Sequence, residues 1–223
     1  MIENVLHLRE IENKDWATFL FVLSFVVIAV TKSAFENRFA DFAKLIYADK
    51  YITVYKESSN LKSAFTISLF FIQVISFAFF IHLSLSSFGY ASKTDWIIYI
   101  QIITLLIFFI LSKYLIEKII ATAFSIEEFT EQFNLQKVTF RSYIGLLLLP
   151  INIFLFYYDN ISKNILLFII FIVLISIVLT YIISIKNYQT TILSKLFYFI
   201  LYLCVFEIAP YYFMYHWFTK GID

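Results

Sequence analysis

Apolar residues in this chain come in long, unbroken runs, with polar residues gathered between them. Six runs stand out, at about 16–31, 64–85, 96–116, 140–158, 165–185 and 191–218. Crossing ~30 Å of hydrocarbon takes about 20 apolar residues in a helix. The first run is short at its apolar centre. The third is purely apolar to Leu111 and continues as an amphipathic helix to about Phe124. Helices are the expected form, because unpaired backbone groups cannot face lipid and the runs do not alternate as barrel strands do. The pattern predicts an all-α, polytopic transmembrane helical bundle of about six spans, forming one integral membrane domain over residues 1–223 with amphipathic cytoplasmic helices.

Composition agrees. Apolar residues make up 61% of the 223, charged residues 15% and aromatics 21%. A soluble domain is roughly 45–50% apolar and about 25% charged. This balance excludes a soluble enzyme, a disordered tail and a nucleic-acid-binding module. Net charge is +1, so no global field recruits an anionic polymer. The single cysteine, Cys204, excludes an internal disulfide and a cysteine-cluster metal site. His7, His82 and His216 are scattered, and three glycines leave no phosphate-binding loop. The first fifteen residues carry mixed charge and no cleavage motif, so the first apolar run is expected to stay as an anchor.

Orientation follows from Lys and Arg. With six spans, the odd-numbered connections carry 12 of the 17 basic residues and the other side carries 5. The odd connections are therefore expected in the cytoplasm and both termini outside, in the periplasm of a bacterial inner membrane. Trp16, Trp96 and Trp217 then all fall at the outer interface, a layer that indole favours.

Two cytoplasmic connections are amphipathic. In 33–63, Phe35, Phe39, Phe42 and Ile46 recur at helical spacing among charged residues. That helix is expected flat on the inner membrane surface with its Phe rings in the acyl boundary, either cradling the bundle or docking a partner. In 113–141, Leu115, Ile116, Ile119, Ile120, Ala123 and Phe124 form a stripe. Ser125 followed by Ile126, Glu127 and Glu128 reads as a capping box, with Glu127, Glu128 and Glu131 favourably placed in a first turn, and Phe129 and Phe133 share the next face. A helical hairpin is expected, as a structural elbow or as a contact surface.

Few residues inside the spans carry chemistry. Glu207 lies in the sixth run, three residues before Pro210, which frees the carbonyl of Phe206. An intramembrane carboxylate beside a freed carbonyl can bind a cation, relay a proton, or lock helices together. His82 is placed to partner Glu207 or to hydrogen-bond between helices. Gln73, Gln101 and Asn152 can also bond between helices, at under ~1 kcal/mol each. In Gly145–Asn152 (GLLLLPIN), Gly145 permits close approach, Pro150 kinks, and Asn152 can recapture a freed backbone group. Lys113, Glu117 and Lys118 are expected to mark the inner boundary and snorkel to water. Lys186 anchors the turn after the fifth run or touches a lipid headgroup.

HExxH, G-x-S-x-G, aspartate-rich diphosphate motifs, paired intramembrane carboxylates and a second intramembrane His for haem are absent from the sequence. No cofactor and no metal site are expected. The ordered segments Asp15-Trp16, EEFTEQF, LLLLPIN, KNYQ and FYFILYLCVFEIAP resemble an uncharacterised family of multi-pass inner-membrane proteins. That family is a domain of unknown function from Gram-negative bacteria of the gliding-bacteria lineage. The resemblance implies a bacterial cytoplasmic-membrane protein, and implies no activity or catalytic residue.

Three functions remain open. One is a non-enzymatic subunit or assembly scaffold of a larger envelope complex, with the bilayer and other membrane proteins as partners and no nucleic acid. Another is a small ion-coupled transporter or lipid-handling protein using Glu207. The last, an intramembrane enzyme on lipid-linked substrates, ranks lowest for want of an acid/base pair or nucleophile. The topology has a direct test in a Cys204→Ser background. A membrane-impermeant thiol reagent should label Lys93→Cys in intact cells and Lys62→Cys only after permeabilisation. The reverse labelling would invert the orientation.

Overall fold

The computed structural model describes residues 14–45, 50–55, 63–123, 125, 127–158 and 162–187. These form seven α-helices: α1 (Asp15–Ala34), α2 (Glu36–Ala43), α3 (Lys50–Val54), α4 (Ala64–Ser87), α5 (Trp96–Ala123), α6 (Glu127–Tyr157) and α7 (Lys163–Asn187). Five of them, α1, α4, α5, α6 and α7, are long and apolar enough to cross a membrane. The chain is an all-α, multi-pass integral membrane protein. The sixth expected span, 191–218, lies outside the described residues.

Local signals set the helix starts. The Asp95 carboxylate accepts from the backbone N–H groups of Ile97 (3.0 Å) and Ile98 (3.3 Å), which satisfies orphan donors at the head of α5. Ser63 caps α4 by accepting from the Thr66 N–H. The expected capping box at Ser125 does not form. Ser125 adopts a left-handed φ of 54°, and its N–H bonds the Thr122 carbonyl, so it closes α5 instead of opening α6. Span four also differs from the expected 140–158. No helix breaker separates Glu127 from Phe140, and α6 runs unbroken for 31 residues, through Pro150.

Consecutive spans run in opposite directions. The Trp16 indole N–H donates to the Thr94 carbonyl (3.2 Å), Lys93 donates to the Tyr158 carbonyl (2.7 Å), and the Thr18 and Tyr157 hydroxyls meet at 2.6 Å. The starts of α1 and α5 and the end of α6 therefore share one end, the tryptophan end. Trp16, Phe21, Phe79, Tyr99 and Phe156 pack there as an aromatic core, with Trp16 stacked on Phe79 at 5.6 Å.

The opposite, lysine end has its own core, and the 33–63 connection supplies part of it. Phe42 is 1% exposed and packs on Tyr51, Phe65 and Tyr143, with Phe35 and Phe39 partly buried against the same cluster. Of these rings, Phe42 is the one turned into the chain and away from the acyl boundary, because Phe65, Tyr51 and Tyr143 form a ring cluster that it completes. Arg38 binds this cluster from α2, 4.7 Å over the Phe65 ring and 4.9 Å over the Tyr55 ring. Burial pushes the Tyr51 phenol above its ordinary pKa, and Arg38 beside it pulls the other way.

Helix α4 is the axis, touching α1, α5 and α6, and its largest interface is with α6. Gly145 makes that interface possible. A Cβ there would sit 2.8 Å from Gln73 Cα and 3.2 Å from Gln73 Cβ. Without a hydrophobic drive between helices in lipid, close backbone approach through a small residue is what holds spans together. Gly145→Ala should therefore force the two helices apart and cost about 1–3 kcal/mol, with Gly145→Leu worse. Thermal unfolding in detergent followed by tryptophan fluorescence checks it, and unchanged midpoints in both variants would contradict the packing.

Candidate functional site: a polar seam between two spans

Helix periodicity gathers the intramembrane polar groups onto one interface. On α6, Ser142, Gly145, Leu149 and Asn152 are spaced three, four and three residues apart, so they share a face. On α4, Gln73 and Ser76 are three apart and face them. The Ser142 hydroxyl donates to Gln73 Oε1 at 3.0 Å. Asn152 Nδ2 donates to the Ser76 carbonyl at 2.7 Å and to its hydroxyl at 3.2 Å. Gly145 lies between these two contacts, against Gln73. All four polar side chains are buried.

This arrangement revises several expectations. Asn152 bridges to α4 and does not recapture a backbone group of its own helix. Pro150 sits on the exposed side of α6, away from the seam. Gln101 is exposed and joins no interface. His82 is fully buried (0% exposed), with Trp16 and Tyr99 at 6.1 Å between ring centroids. The expected interhelical hydrogen bond of His82 is not there among the described residues: neither ring nitrogen has a partner. Ring packing holds it instead. Glu207 and Pro210 lie outside the described residues, so the pairing of His82 with Glu207 does too.

At the lysine end, Glu117 was expected to reach water. It is 4% exposed and pairs with Lys137 of α6 (6% exposed) at 3.4 Å. Phe133, 1% exposed, lies under that Lys137 ammonium and against Tyr181 of α7. Like Phe42, it is turned inward. The Phe129 side chain lies outside the described residues.

Sequence reasoning missed Ser76, Ser142 and Lys137 as partners. The signal for them was present as spacing: polar or small residues three or four apart within otherwise apolar or amphipathic stretches. Chemically, the seam can fix helix register and rotation. Its donors and acceptors are mostly consumed by each other, with Asn152 Oδ1 left over. Among the described residues, no group of three or more His, Cys, Asp or Glu is placed to hold a metal ion.

Residues 17–218 match the family model described as Domain of unknown function (DUF4271). No curated protein and no solved structure matches the chain.

The buried pair gives a double-mutant prediction. Lys137→Met strands the Glu117 carboxylate and should destabilise by roughly 3 kcal/mol, while Glu117→Gln combined with Lys137→Met should recover most of that loss. Unfolding midpoints of the single and double variants decide it; additive losses would mean the two side chains act independently.

Proposed function

The chain belongs to the DUF4271 family, and from that premise and the geometry above we propose that it is a non-enzymatic subunit or assembly scaffold of a larger envelope complex. Its place is the bacterial inner membrane, with both termini periplasmic and the lysine end in the cytoplasm. The observation that carries this reading is the way the spans use their polar groups. Gln73, Ser76, Ser142, Asn152, Glu117 and Lys137 are paired across helices. A carrier needs polar groups left open to its cargo, and helices broken to expose backbone. Here α6 runs through Pro150 without a break.

The outward surface supports the same reading. Helices α5 and α7 leave most of their apolar surface uncovered, including Phe108, Phe168 and Phe171. Lipid covers such faces, and so do the spans of a partner. The excess of basic residues on the odd connections supports the orientation. The bacterial setting rests on the resemblance in the ordered motifs, and the envelope role rests on analogy with that lineage.

The test is purification from the native membrane in mild detergent, with mass spectrometry of what accompanies the chain. Stoichiometric membrane proteins support the subunit reading, and a chain that purifies alone overturns it. Glu207→Gln separates the carrier alternative. A scaffold keeps its partners and its cellular role with this substitution, whereas an ion-coupled carrier loses its role while remaining folded.

A further inference from the structure

Helices α5 and α6 carry mirrored charges at the lysine end. Lys113 and Glu117 are four apart on α5, and Lys137 and Arg141 are four apart on α6. The antiparallel crossing that sets Glu117 against Lys137 brings Lys113 and Arg141 to the same level. Between the helices lies a cleft of about 70 Å³, lined by all four of these side chains. The lining has three cations against one carboxylate, a formal charge of +2. Asn134, buried, adds a neutral donor, and Phe109 and Ile110 form an apolar wall beside the charges.

Depth gives the cleft its meaning. At 1.5 Å per residue, Lys113 lies about 25 Å along α5 from Trp96, and Arg141 about 24 Å along α6 from Tyr157. Against ~30 Å of hydrocarbon, that is the headgroup boundary opposite the tryptophan end. Arg141 is half-buried and makes no ion pair among the described residues. A guanidinium there is matched geometrically to a phosphate. Apolar residues continue from the cleft toward the bilayer centre, and Phe108 and Leu111 stand exposed beside it.

We propose that this α5–α6 cleft binds the phosphate headgroup of an anionic phospholipid, with Arg141, Lys113 and Lys137 around the phosphate and Phe109 and Ile110 along the first acyl carbons. Basic pockets between spans are a recurrent form of lipid-headgroup site. The Lys137–Glu117 pair holds the floor of the cleft in register, and Arg141 supplies selectivity for net negative headgroups. The site is independent of whether the chain is a scaffold or a carrier.

The experiment is native mass spectrometry of the full chain in detergent, titrated with dioleoyl phosphatidylglycerol and, separately, dioleoyl phosphatidylcholine. The phosphatidylglycerol complex should be favoured, and Arg141→Gln should weaken it about five-fold, the effect of one basic residue near an anionic headgroup. Arg141→Lys should restore most of the loss. Lys118→Gln removes an equal charge from an exposed position outside the cleft and should change little. Millimolar inorganic phosphate should not displace the lipid. Equal binding of the two lipids by the unaltered chain overturns the proposal. So does equal weakening by Arg141→Gln and Lys118→Gln, which indicates a general surface field. Displacement by inorganic phosphate also overturns it, assigning the cleft to a free anion. The lipid comparison and the phosphate competition need no variant, so they stand even where Arg141→Gln fails to fold.

Discussion

The contact between Gly145 and Gln73 is the constraint on which the bundle depends. In lipid, apolar side chains gain nothing by leaving hydrocarbon for one another, so two spans need another reason to stay together. Here the reason is close backbone approach, with a Cβ at position 145 excluded by Gln73 Cα. That approach puts Ser142 within reach of Gln73 and Asn152 within reach of Ser76. The hydrogen bonds in turn set the rotation of both helices. Once α4 and α6 are fixed, α1 and α5 pack on α4, and α7 packs on α6.

Each end of this pair is finished differently. At the tryptophan end, rings close the bundle, and the polar edges of Trp16 and Tyr157 reach a carbonyl and a hydroxyl. At the lysine end charge enters the packing. Arg38 lies over the Phe65 and Tyr55 rings, and Lys137 meets Glu117 between α5 and α6. Buried charges of this kind gain little over a well-packed apolar core but are costly to break singly. They specify how α5 and α6 meet where apolar surface alone would let them slide.

Much of this was legible in the sequence. The apolar runs located all five described spans, since length and hydropathy leave little choice in a bilayer. Gly145 was legible as a close-approach residue and Asn152 as an interhelical donor. Partners were not legible, because periodicity gives the face of a helix and not the helix it meets. Asn152 therefore read equally well as a local backbone cap, and Glu117 as a snorkelling boundary residue. The Phe42 ring looked membrane-facing because an amphipathic stripe reads the same whether its apolar side meets lipid or protein. Ser125 was misread because a capping sequence does not fix φ, and the reversal between α5 and α6 takes that residue for its left-handed turn.

Disulfide cross-linking in native membranes tests the seam most directly. In a Cys204→Ser background, Gln73→Cys with Ser142→Cys should form a disulfide under mild oxidation. Gln73→Cys with Leu147→Cys should not, since Leu147 is exposed on another face of α6. Efficient bridging of the first pair alone is the result the account predicts. Failure of that pair, or equal bridging of both, would mean that α4 and α6 do not meet along the Gly145 face, and the seam would have to be abandoned as the organising contact.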